Sequence, residues 1–141
     1  MNRQILFRGK QKDDGKWLQG FYAIQSNHAC YQSELKYTSF ILKDEFMDWG
    51  LGGLAEYEVI PESVGQFTGL TDKNGNKIFE GDIVKCLSLE NGYVNKEVYY
   101  AEDRARFVLG SLGSDYDFEE YINVEVIGNI YDNPELLHNG D

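Results

Sequence analysis

The chain has 141 residues, 42% hydrophobic, 14% aromatic and 26% charged, a profile that excludes disorder and collagen-like architectures. Its 24 acidic and 13 basic residues leave a formal charge of −11, which disfavours non-specific attraction to phosphate backbones or anionic lipid. Cys30 and Cys86 are too few for a disulfide framework, and no apolar run approaches the roughly 20 residues that span a bilayer. The first ten residues carry no apolar signal core, so the expectation is one domain in a reducing cytoplasm. A chain of this size buries about 68 to 70% of its unfolded surface, enough for one core.

Gln4 to Arg8 reads as a short strand and Lys16 to Ile24 as a longer one. Asp14-Gly15 closes them into a hairpin, because glycine accepts the positive φ that a tight turn needs. Cys30 to Lys36 and Thr38 to Leu42 form a second, more ragged pair. From Lys43 to Leu54 the character changes: Asp44, Glu45 and Asp48 interleave with Phe46, Met47, Trp49 and Leu51 before Gly50, Gly52 and Gly53 break the run. That pattern predicts a single helical turn followed by a loop. Glu56 to Ile60 resumes strand alternation until Pro61 interrupts it. The expected boundary falls there, between a hairpin-rich segment, 1–60, and a second segment, 61–141.

Short strands then follow at Gln66 to Leu70, Lys77 to Glu80, Ile83 to Leu89, Tyr93 to Tyr100, Ala105 to Leu109 and Tyr121 to Tyr131. Asn74-Gly75, Gly81-Asp82 and Asn91-Gly92 supply turns between them. The spacing, with no long helices, predicts a mainly β fold organised as a small barrel or sandwich. Phe67, Leu70, Ile78, Phe79, Ile83, Val84, Val98, Phe107, Val108, Val126, Ile127 and Ile130 are the expected core. Asn133-Pro134-Glu135 begins one terminal helical turn: Asn133 caps it, and Pro134 suits a first position whose N–H has no partner.

Each chemical motif competes with a structural explanation. His28-Ala29-Cys30 offers two ligands or a thiol and a base, but His138 and Cys86 lie far away in sequence, and ordinary strand residues are the stronger reading. Asp72 to Asn76 resembles the start of a calcium loop, yet Lys77 and Ile83 occupy the sixth and twelfth positions, so the segment reads as a turn. Asp44, Glu45 and Asp48 at helical spacing would suit a hard metal or an acid/base pair, with a solvated acidic face the stronger reading. Together with neighbouring rings they form an expected contact surface, Asp44, Glu45, Phe46, Asp48 and Trp49, for which core packing is the rival explanation. Asp115 to Glu120 reads as a solvated acidic loop. Residues 1–20 carry Arg3, Arg8, Lys10, Lys12 and Lys16 against Asp13 and Asp14, a local balance of +3 beside an acidic remainder.

Phe7-Arg8-Gly9-Lys10, Gly15-Lys16-Trp17 and Gly20 are followed by Val64-Gly65-Gln66-Phe67-Thr68-Gly69-Leu70 and Asp72-Lys73-Asn74-Gly75. Ile78-Phe79-Glu80-Gly81-Asp82-Ile83-Val84, Val126-Ile127-Gly128-Asn129-Ile130-Tyr131 and Asn133-Pro134-Glu135-Leu136-Leu137 complete a series that resembles the YopX family of phage and prophage proteins. Residues 25–56 and 90–120 carry no part of that pattern. The resemblance implies a mostly β structure with an SH3-type barrel in the C-terminal half, a bacterial cytoplasmic setting, and no assigned activity or site residues. The resulting expectation is a non-catalytic interaction module without catalytic residues, cofactor or metal, acting on a protein partner or on itself as a homo-oligomer. A nucleic-acid regulator using the basic hairpin and a metal-dependent hydrolase using Asp44, Glu45 and Asp48 are the alternatives.

Overall fold

In the first part of the chain, alternation of apolar and polar side chains builds an antiparallel meander: β1 (Phe7–Lys10), β2 (Trp17–Ser26), β3 (Tyr37–Phe46) and β4 (Gly52–Glu58). This computed structural model describes residues 1–26, 36–46, 52–111 and 114–138. The chain divides into two units, Met1–Gln66 and Phe67–Asp141.

The expected β1–β2 turn forms, with Gly15 at φ +70° and the Lys16 N–H donating to Asp14 Oδ1 at 2.9 Å. The inner face of the first unit carries Ile41 and Val59, both essentially inaccessible, with Gly9 set directly against Val59. Beyond β4, the Val59 N–H donates to the Ser39 carbonyl, whereas the Lys12 N–H donates to Glu58 and the Ile60 N–H to Lys10. Backbone groups alternate sides along a strand, so the end of β4 is bonded on both edges, to β3 and to the extension of β1. A 3-10 turn at Pro61–Ser63 follows, and Ser63 Oγ accepts the Lys10 N–H at 2.8 Å while donating to the Ile60 carbonyl at 2.6 Å.

The helical turn expected over Lys43 to Leu54 is corrected: 43–46 continue β3 and 52–54 begin β4, in register from Phe40↔Glu58 to Phe46↔Gly52. Cross-strand pairing satisfies the backbone along that whole ladder, which local acidic–aromatic composition does not disclose. Residues 47–51 lie outside the described ones, as does the expected strand from Cys30 as far as residue 35.

β5 (Gly65–Thr71) begins in the first unit, where Gly65 and Gln66 pair with Arg8 and Phe7. Its later residues pair with β6 (Lys77–Phe79). β7 (Asp82–Ser88), β8 (Gly92–Ala101), β9 (Arg106–Ser111), β10 (Ser114–Tyr116) and β11 (Ile122–Asn129) form a five-stranded antiparallel sheet ordered β10-β9-β8-β7-β11. A short helix, α1 (Glu135–His138), follows at the position expected for a helical turn. The mainly β expectation is therefore met. Closure into an SH3-type barrel is not seen: among the described residues no ladder joins β10 to β11. β10 is three residues long and runs into a 3-10 turn at Phe118–Glu120, while Val124 and Val126 of the bulged β11 bond the turn after β5.

Ile78, Val84, Cys86, Val98, Leu109 and Tyr121 form the core of the second unit. Phe67, Phe79, Ile83 and Val108 are also buried, as expected. Leu70 and Ile130 are corrected, being 45% and 40% exposed. Leu70 sits in the irregular end of β5 and Ile130 just past β11, where strand alternation no longer aims a side chain inward. The expected acidic loop at 115–120 is also corrected. Its first residues extend β10, and Asp117 and Glu120 form a reciprocal capping box around the 3-10 turn.

Candidate functional site

Opposed residues in an antiparallel ladder share a face, so the registers of β2, β3 and β4 group Phe21, Leu42 and Glu56 in one row and Ala23, Phe40 and Glu58 in the next. Asp44 and Leu54 form a further opposed pair on that face. This is the face opposite Ile41, and its apolar groups are only partly covered: Phe21 is 57% exposed and Leu54 56%, with Phe40 and Leu42 half-buried. The result is an apolar row edged by carboxylates, built from strand alternation rather than from one local motif.

Of the five residues expected as a contact surface, the structure places Asp44 on this outer face and Phe46 at the end of β3. Glu45 follows Asp44 in the strand and therefore faces the other way. There the Tyr57 hydroxyl donates to its carboxylate, 2.8 Å from each oxygen. That hydrogen bond, and then burial, raise the Tyr57 pKa. Asp48 and Trp49 lie outside the described residues, as do His28 and Cys30. The strand thus separates two of the three carboxylates that a helical turn would have brought together. No group of three His, Cys, Asp or Glu among the described residues is arranged to hold a metal ion.

The basic hairpin is engaged within the molecule. The Arg8 guanidinium lies 4.9 Å from the Trp17 ring centroid, and Lys12 Nζ pairs with Glu58 Oε1 at 3.2 Å. Asp72, the first residue of the rejected calcium-loop pattern, accepts the N–H groups of Asn74, Asn76 and Val126. Its carboxylate is a structural staple between a turn and β11.

The second unit has a cleft of about 320 Å³ beside the β7–β8 turn, lined by Leu89, Val94, Lys96, Tyr116, Glu120 and Tyr121 among others. The Tyr116 and Tyr121 rings meet edge to face with centroids 5.7 Å apart, and Lys96 Nζ sits 5.3 Å from the Tyr116 centroid. Burial pushes the Tyr121 hydroxyl up to about 12, with Cys86, Tyr116 and Glu120 adding to the shift. The sequence does not disclose this cleft because sheet pairing brings Tyr116 to Lys96, and Tyr121 meets Tyr116 only after the 3-10 turn.

Cys86 is fully buried behind it, its thiol pushed up to about 11 by burial, with Lys96 opposing. In a Cys30→Ser background, a thiol reagent at pH 8 is expected to leave Cys86 unmodified until denaturant is added. Prompt labelling of the native protein would contradict that burial.

No helix among the described residues is long and apolar enough to cross a membrane. A comparison with curated proteins finds no match. Among solved structures, the chain is similar to the crystal structure of protein EF1440 from Enterococcus faecalis, with 25% identity and a TM-score of 0.53 over 96% of this chain and 99% of that one. The family profile described as YopX protein matches residues 6–138, from the start of the N-terminal hairpin to the terminal helix. The chain belongs to the YopX family.

Proposed function

We propose that this protein is a non-catalytic accessory protein of phage or prophage, working in the bacterial cytoplasm as an interaction module. The outer face of β2, β3 and β4 docks a protein surface, either a partner's or that of a second copy. The observation that carries this reading is the half-open apolar row of Phe21, Phe40, Leu42 and Leu54, edged by Asp44 and Glu56. Covering a side chain such as Phe21 or Leu54 contributes about 1.5 to 3 kcal/mol before ordering costs. Aromatic and aliphatic groups ringed by charge are the usual anatomy of a contact surface. Of the expected surface of Asp44, Glu45, Phe46, Asp48 and Trp49, Asp44 belongs to this face.

The test is a Phe21→Asp, Leu54→Asp double variant compared with the wild-type chain by sedimentation velocity and by affinity capture from an induced bacterial host. The wild-type chain is expected to self-associate or retain a defined protein, and the double variant to lose that association while keeping its β-rich circular dichroism. Association that survives both charges, or none by the wild-type chain in either assay, would overturn the reading.

A further inference from the structure

The second unit carries six basic and fifteen acidic residues, a balance of −9 that accounts for most of the charge of the whole chain. Its cleft shares that sign, with two carboxylates and one ammonium among the lining residues. Glu90 and Glu120 stand among the lining residues, whereas Lys96, the basic group there, lies over the Tyr116 ring. Tyr116, Tyr121 and Val94 make apolar walls, and Leu89 extends from the hairpin turn at 91% exposure. At about 320 Å³ the space is at the small end of ligand sites, suited to one or two inserted side chains rather than to a whole cofactor.

We propose that this cleft is a docking groove for an extended segment of a partner protein that carries arginine or lysine. A cationic side chain entering it would meet the Glu90 and Glu120 carboxylates on the side away from Lys96, while apolar neighbours in the segment would cover Leu89 and Val94. Charge complementarity selects this occupant: the acidic unit repels nucleic acid and acidic peptides and draws basic segments toward the groove. The site is separate from the sheet face on β2–β4, so either can fail without the other.

The probe is a fluorescein-labelled peptide with two arginines spaced by prolines, followed by anisotropy in low salt against the full chain. Its counterpart has both arginines replaced by glutamate. Saturable binding of the arginine peptide alone is expected. Glu90→Gln with Glu120→Gln should weaken it about five-fold or more, the scale of two surface charge pairs in low salt. Glutamine at 120 keeps an acceptor for the Asp117 N–H, so the 3-10 turn is preserved. Glu102→Gln with Asp103→Asn makes the same charge change on the exposed β8–β9 turn and should alter binding less than two-fold, within the range of surface charge effects.

Equal loss in the control pair would show only a diffuse acidic field and would overturn the groove. So would binding of the glutamate peptide, or no binding by either. If binding falls steeply as protein concentration rises, a second copy occupies the groove, and the assignment to a foreign segment is overturned. Amide shifts at Leu89, Val94, Tyr116 and Tyr121 on titration provide a second readout, and shifts confined elsewhere would count against the site.

Discussion

Asp72→Ala is expected to lower folding stability by about 3 kcal/mol, because several charge-assisted hydrogen bonds lose their acceptor together. Asp72 is buried, and its carboxylate accepts the Asn74 and Asn76 N–H groups at 2.9 and 2.8 Å, and the Val126 N–H at 3.0 Å. The first two shape the turn after β5, while the third reaches 54 residues along the chain to β11. Urea unfolding of the variant at neutral pH measures the loss, and a midpoint equal to wild type would refute the staple.

The same group has a pH signature. Burial alone would raise its pKa, but the hydrogen bonds from Val126, Asn76 and Asn74 and from the Asn76 side chain outweigh it, and the net shift is downward. An unfolded aspartate titrates near 3.9, so between that value and the lower folded one the unfolded chain binds more protons. The stabilisation is therefore present above about pH 4 and lost as pH falls through the folded pKa. The stability gap between wild type and Asp72→Ala should be widest near neutrality and narrow in acid. A gap that is constant with pH would place its origin elsewhere.

Gly81→Val is the second large expected effect, a loss of about 2 to 3 kcal/mol and a lowering of the thermal midpoint by roughly 10 °C. Gly81 has φ +90°, a conformation in which a β-branched side chain is strained. Its backbone is also committed at both ends: the N–H donates to the Val98 carbonyl at 2.7 Å and its carbonyl accepts the Ile130 N–H at 2.8 Å. The residue thus ties β8 to the chain just beyond β11, and relaxing φ would sacrifice those bonds. Differential scanning calorimetry of Gly81→Val, with Gly81→Asn as the residue that best tolerates positive φ, separates strain from side-chain bulk. An unaltered midpoint for valine would reject the strained turn.

Local chemistry made much of the architecture legible. Asp14-Gly15 and Gly81 mark positive-φ turns, alternation marks most of the strands, and Asn133-Pro134-Glu135 precedes the terminal helix. The acidic–aromatic stretch from Lys43 shows where this kind of reading fails. Its helical spacing was a property of composition, while the ladder with Leu54 and Gly53 was a property of the folded sheet.

By itself, then, the sequence determined the β-rich class, the turn positions, the family pattern and the acidic charge, because each follows from side-chain chemistry within a few residues. Only the tertiary structure decided that Asp44 and Glu45 face apart, that Asp72 fastens onto Val126, and that Tyr116 meets both Tyr121 and Lys96. These depend on strand register, and register is settled by pairing between segments distant in the chain, where a slip of one residue turns every side chain to the opposite face.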